Sequence, residues 1–200
     1  METAHWTVRR RSPSVEPLLR LIERTQGTPY IHRQFSNWDE LQGLLGEATD
    51  VRRRRYPIVY VACHGQARRI ALRDRKDRGG RVVTLRELAG PLRQRGLGKL
   101  MLFSACSFMR GSKIELQRFV ADTGVSAIMG YQRDVGWIES AQLELGLLAS
   151  MARWPARGQA TRRAALHDLR PARQLMRTLE FRVIANKEAL RVPRPWRSIT

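Results

Sequence analysis

The sequence predicts an α/β fold, with a largely parallel sheet and helices on both of its faces. Three observations predict it. Three short runs, Pro57–Cys63 (PIVYVAC), Lys99–Phe103 (KLMLF) and Val125–Tyr131 (VSAIMGY), are almost wholly apolar. Such runs fit strands buried on both faces, as parallel strands are. Segments with helical spacing separate them, so strands and helices alternate from Thr28 to Trp154. Finally, 200 residues suffice to bury a core without disulfides or metal.

The elements follow in order. Met1–Pro13 is a basic, polar segment with no assigned element, ahead of a single domain over 14–190. Ser14–Gln26 places Val15, Leu18, Leu19, Leu21 and Ile22 near helical spacing, and Gly27 ends the helix as a C-cap. Thr28–Phe35 is a short strand candidate. Asn37 is an N-cap for Trp38–Leu45, with Asp39 and Glu40 in the first turn. After the first buried strand, Arg69–Leu72 and Arg81–Thr84 flank RDRKDRGG, a hairpin or excursion. Thr84 and Glu87 form a capping box for a helix to about Arg95. Ser112–Thr123 is a helix with Ile114, Leu116, Phe119 and Val120 as its apolar positions, closed by Gly124. Trp137–Trp154 is a longer helix with Ile138, Ala141, Leu145, Leu148 and Met151 on one face. Thr161–Thr178 is helical with an interruption at Pro171, Phe181–Ala185 is a last strand, and 191–200 is a coil tail.

Composition narrows the function. The chain carries 37 Lys+Arg against 18 Asp+Glu, a formal net charge of +19. That charge invites a nucleic-acid partner. However, 33 of the 37 basic residues are arginine, the remainder being Lys76, Lys99, Lys113 and Lys187. A GC-rich coding sequence produces that skew, because most arginine codons are GC-rich. The charge is therefore read as a solvated surface. No apolar run is long enough to span a bilayer, and no apolar stretch follows the basic N-terminus as a secretory signal would require. Two cysteines, Cys63 and Cys106, make neither a disulfide framework nor a zinc site, which fits a reducing cytoplasm. No His/Cys/Asp cluster has metal-ligand spacing, and Gly96-Leu97-Gly98 precedes a strand rather than following one, as a phosphate loop would. No cofactor is implied.

In open α/β sheets, ligands sit beyond the carboxyl ends of the strands. Pro57–Cys63 runs into His64-Gly65, and Lys99–Phe103 runs into Ser104-Ala105-Cys106-Ser107. If the two strands are adjacent and parallel, His64 and Cys106 share one crevice. A Cys–His pair is the minimum for a thiol nucleophile with a proton acceptor. Gly65 allows close backbone approach, and its N–H could join that of Cys106 around an oxyanion. Cys63 lies within its strand and is read as inert packing. His5, His32 and His167 have no evident partner and are read as surface or packing residues. Trp38, Trp137 and Trp154 are read as core or half-buried residues of their helices.

An HG pair after an apolar strand, then a second strand ending in SACS with Cys106 42 residues after His64, resembles the caspase-like cysteine peptidases. That group includes caspases, gingipains, separases and bacterial CHAT-domain proteins. The segment TGVSAIMGYQRDVGWIESAQLELGLL resembles the strand, specificity loop and helix that follow the catalytic cysteine in small CHAT-like domains. The resemblance covers roughly Thr28–Trp154. It implies a caspase-like, Rossmann-like three-layer sandwich, with His64 as catalytic base or acid and Cys106 as nucleophile. Gly65 and Cys106 would supply the oxyanion N–H groups. The caspase run around the cysteine is absent, since Ser107 and Phe108 follow Cys106, so aspartate specificity is not implied. An acidic residue in the following loop pairs with a basic substrate residue in separases and CHAT peptidases. Asp134 stands at the comparable place, with Glu139 as the alternative, which implies cleavage after Arg, or less favourably Lys.

The resemblance further implies a protein substrate, such as a gasdermin-like pore former in a bacterial defence or programmed-death system. A separate regulator would control it. Self-cleavage within Arg73–Arg81 is a corollary of arginine specificity. Two other functions stand beside the peptidase. One is a nucleic-acid-binding module using Arg9–Arg11, Arg52–Arg55 and Arg162–Arg163. The other is a catalytically inactive caspase-like scaffold.

Overall fold

The computed structural model describes residues 1–4, 14–50, 52, 56–72, 80–93, 95–96, 98–151 and 172–186. In chain order the elements are β1 (Glu2–Thr3), α1 (Glu16–Gln26), β2 (Gln34–Phe35), α2 (Trp38–Ala48), β3 (Ile58–Ala62), β4 (His64–Gln66), β5 (Arg69–Leu72), β6 (Arg81–Thr84), α3 (Leu85–Leu92), β7 (Leu100–Ser104), α4 (Lys113–Thr123), β8 (Ala127–Tyr131), α5 (Trp137–Met151), α6 (Arg173–Thr178) and β9 (Phe181–Ala185).

The main sheet has the order β2-β1-β3-β7-β8-β9. All its pairings are parallel except β8–β9, which is antiparallel. Alternation along each strand divides the core in two. Val59, Val61 and Cys63, with Met101, Phe103 and Ile128, pack under α2, α3 and α4. Tyr60, Ala62, Leu102, Met129 and Tyr131 face α1 and α5 on the other side. The result is a helix–sheet–helix sandwich. The apolar runs are explained by this burial on both faces: no register of these strands leaves a side open to water.

Local signals hold where the backbone chemistry is explicit. The Asn37 side chain accepts a hydrogen bond from Glu40 N, which starts α2. Thr84 and Glu87 form both halves of a capping box. Gly27 and Gly124 end α1 and α4 in the left-handed conformation. The 64–84 region is a three-stranded antiparallel sheet in the order β4-β5-β6; its β4 arm was not expected from sequence.

Several expectations change. The first residues form β1, held between β2 and β3. Their buried Glu2 carboxylate accepts from Val15 N at 2.8 Å and Ser14 Oγ at 2.9 Å, tying the strand to the start of α1. The Thr28–Phe35 strand shortens to Gln34–Phe35. Its neighbour β1 supplies only two residues, and Pro29 has no N–H for a ladder. The buried face of α5 is Ser140, Leu143, Glu144, Leu147, Leu148 and Met151, while Ile138 is exposed. The expected stripe is therefore rotated: Leu148 and Met151 stay, and Leu143 and Leu147 replace Ile138 and Leu145. Ile114 on α4 is likewise exposed, and α3 ends at Leu92, short of Arg95. The expectations for 152–171, for Arg73–Gly79 and for the tail lie outside the described residues. Among the described residues no helix is long and apolar enough to cross a membrane.

Candidate active site

Strands β3 and β7 are direct parallel neighbours, with Ala62 paired to Ser104 at their carboxyl ends. The ladder continues one step, through a hydrogen bond from Cys63 N to Ser104 O at 3.1 Å. Beyond it the two chains part. The first leaves the sheet as β4, where His64 pairs with Ala71 and Gly65 with Ile70. The second turns sharply through Cys106 and Ser107.

The contact that joins them is backbone on backbone. A Cβ on Gly65 would lie 2.7 Å from Ala105 C and 2.7 Å from Cys106 N. Real Cβ atoms do not approach that closely, so only glycine lets the HG segment lie on the Ala105–Cys106 peptide. His64 and Cys106 are thereby brought to one place at the carboxyl edge of the sheet, both partly accessible. Their neighbours of the same parity, Ala62 and Leu102, face the α5 side. Cys106 Sγ lies 3.8 Å from Val135 O, on that side.

The turn carrying Cys106 is held from several directions. Ser107 takes a left-handed φ of 55°, rare for a residue with a side chain. Its N–H donates to Arg133 O at 2.9 Å, and Met109 N donates to Tyr131 O at 2.8 Å. Phe108 stacks on Phe103 with ring centroids 4.2 Å apart. Arg182 donates to the carbonyls of Met109 and Gly111, and Arg68 pairs with Glu115 while its N–H donates to Phe108 O. A side chain on such a support keeps a fixed orientation.

Asp134 reaches the same turn. Its Oδ1 accepts from Ser107 Oγ at 2.7 Å, one residue after Cys106. Asp134 is exposed. Glu139 is exposed too, and its Oε2 accepts from Gly136 N at 3.2 Å at the start of α5, where a carboxylate offsets unpaired helix N–H groups.

The two cysteines differ sharply. Burial pushes the Cys63 thiol up to about 12, so it stays protonated and out of reach at neutral pH. Sequence reasoning overlooked two features. One is the Ser107–Asp134 bond, which no spacing rule announces. The other is Glu144, an acid at a core position of α5. Its signal was a carboxylate flanked at helical spacing by Leu143, Leu147 and Leu148.

A family model describes the pattern of the whole domain rather than single motifs. That of the CHAT domain matches residues 3–196. The chain belongs to the CHAT-domain family. This is a caspase-like peptidase family, and the three-layer sandwich found in this CHAT domain agrees with it. No curated protein matches the chain.

Within the CHAT domain, none of the described residues form a group of three or more His, Cys, Asp or Glu able to hold a metal ion. A cavity of about 430 Å³ lies between α1, α2 and the start of β3, lined by Leu19, Tyr30, Leu44 and Ile58 among others. Its lining includes neither His64 nor Cys106. His32 sits beside the buried Glu2 carboxylate at 3.5 Å, a packing position. Trp38 and Trp137 are half-buried against the two cores. His5, His167 and Trp154 lie outside the described residues, as do the arginine clusters of the nucleic-acid reading except Arg52, which is paired with Asp50.

Proposed function

We propose that this CHAT domain is a cysteine endopeptidase with a His64–Cys106 dyad, cutting a protein partner after arginine or, less readily, lysine. The observation that carries the reading is the seating of Gly65 on the Ala105–Cys106 peptide, which brings the histidine segment against the thiol-bearing turn.

His64 takes the thiol proton as Cys106 attacks the scissile carbonyl. The N–H groups of Gly65 and Cys106 stabilise the oxyanion that forms. His64 then returns the proton to the leaving amine, freeing the carboxyl-side fragment. Water, activated by the same imidazole, hydrolyses the thioester and restores the thiol. No cofactor enters the cycle. Asp134 is the group that receives the substrate arginine. Ser107 holds one of its oxygens, which fixes the carboxylate plane for a guanidinium fork. Glu139 is engaged with the Gly136 N–H and is the weaker candidate. A gasdermin-like pore former in a cytoplasmic bacterial defence system, released by a separate regulator, is the substrate class that the family suggests.

The test is cleavage of reporter peptides ending in Arg, Lys, Ala or Asp by wild type and Asp134→Asn. An Arg preference that falls about tenfold in the variant supports the assignment, because the carboxylate is exposed and its pairing partly screened. An unchanged preference removes Asp134 from the pocket.

A further inference from the structure

A carboxylic acid lies buried beneath the thiol-bearing turn, and the peptidase cycle does not use it. Glu144 sits on the face of α5 that packs on the sheet and is only 1% exposed. Its Oε2 accepts from the Tyr60 hydroxyl at 2.5 Å and its Oε1 from the Tyr131 hydroxyl at 2.9 Å. The Ser104 hydroxyl lies in the same cluster, beside Tyr60 and Glu144. The residues around Glu144 come from three adjacent strands: Tyr60 from β3, Ser104 from the end of β7 and Tyr131 from the end of β8.

Each of those strands delivers one part of the site. β3 continues into Cys63 and His64. Ser104 stands two residues before Cys106. Tyr131 leads into the loop carrying Asp134, and its carbonyl accepts from Met109 N at 2.8 Å.

Packing alone does not call for this arrangement. A leucine or methionine among Leu143, Leu147 and Leu148 would fill the space with no charge to desolvate. What the acid adds is direction. Two tyrosine hydroxyls aimed at one planar group, with the Ser104 hydroxyl beside it, fix distances across the strands, as apolar contacts do not.

We propose that Glu144 is a positioning residue for the peptidase site, setting the mutual placement of His64, Cys106 and the Asp134 loop through Tyr60, Ser104 and Tyr131. It touches no reacting atom. The inference rests on the peptidase reading, so its test carries a readout that needs no peptide cleavage.

Full-length wild type is compared with Glu144→Gln, Glu144→Ala, Tyr60→Phe and Tyr131→Phe. Each is checked for folding by thermal melt, then assayed for kcat and KM and for the rate of Cys106 alkylation by iodoacetamide at neutral pH, located by peptide mass. Positioning predicts a kcat loss of about tenfold in Glu144→Gln with KM unchanged, a larger loss in Glu144→Ala, and losses of about threefold or more in each Tyr→Phe variant. Cys106 alkylation changes in the same order. A merely structural role predicts a lower melting temperature with wild-type kcat and alkylation below the melt, and that result overturns the proposal. If the Glu144 variants do not fold, the two single-hydroxyl deletions decide between these outcomes. If wild type cleaves no peptide, the peptidase reading falls while the alkylation series still decides for or against positioning.

Discussion

Cys63 and Cys106 follow two neighbouring parallel strands at nearly the same height, yet one is buried and the other is partly accessible. Cys63 continues the parity of Val59 and Val61 and points into the core under α2, α3 and α4. Cys106 continues the parity of Leu102 and faces the α5 side, where the loop after β8 leaves it partly open. Burial then drives the first thiol up to about 12. The lesson is that position along the pleat, together with what covers it, decides whether a thiol is accessible, not the residue type. The backbone contact between Gly65 and the Ala105–Cys106 peptide also brings the His64-Gly65 segment against the turn that carries Cys106.

The largest expected effect breaks this comparison directly. Cys106→Ala lowers peptide cleavage by at least about 10³-fold, whereas Cys63→Ala leaves kcat within about threefold, read from initial rates on an arginine reporter. Comparable losses in the two variants would dissolve the distinction.

Next comes the seam between the two strand ends. Gly65→Ala puts a Cβ against backbone on the Cys106 side and is expected to lower kcat/KM by about 100-fold, at a cost in stability of about 1–3 kcal/mol. Gly43→Ala in α2 meets nothing within 4 Å and is expected to stabilise by about 0.5–1 kcal/mol with unchanged activity. Thermal melts and initial rates on the pair separate a site glycine from an ordinary one.

The smallest effect concerns the acid beneath the site. Burial lifts the Glu144 carboxyl above its ordinary value, and hydrogen bonds from Ser104, Tyr60 and Tyr131 bring it part of the way back. The folded chain therefore holds that proton more tightly than the unfolded chain. The resulting stability is present below the ordinary carboxyl range and is lost as pH rises through the raised folded value. Glu144→Gln has no such proton. The wild type's advantage in Tm over this variant should thus be largest near about pH 4 and shrink toward neutrality. A difference that is flat with pH would contradict the sign.

Much of the fold was legible because two-sided burial writes itself into composition. PIVYVAC, KLMLF and VSAIMGY can be little else, and the Asn37 cap and the Thr84–Glu87 box act within four residues of themselves. β1 was not legible, since two residues carry no period and Glu2 is buried only through partners 12 to 32 positions away. The rotated stripe of α5 has a related cause. A rule that counts only apolar residues skips Glu144, whose partners lie on strands far away in sequence. Of the candidate site, the adjacency of the strand ends that carry His64, Gly65 and Cys106 was legible from where the apolar runs stop. The engagement of Asp134 by Ser107 was not, because it depends on the left-handed turn at Ser107, which has no residue signature.

The central claim is that Cys106 is a nucleophile served by His64. It is tested most directly with a peptide acyloxymethyl ketone ending in arginine, followed by intact mass and peptide mapping. The account predicts one adduct per chain, on Cys106 and not Cys63, forming at least about 100-fold more slowly in His64→Ala. No adduct on the folded protein, or one forming equally fast without His64, would contradict it.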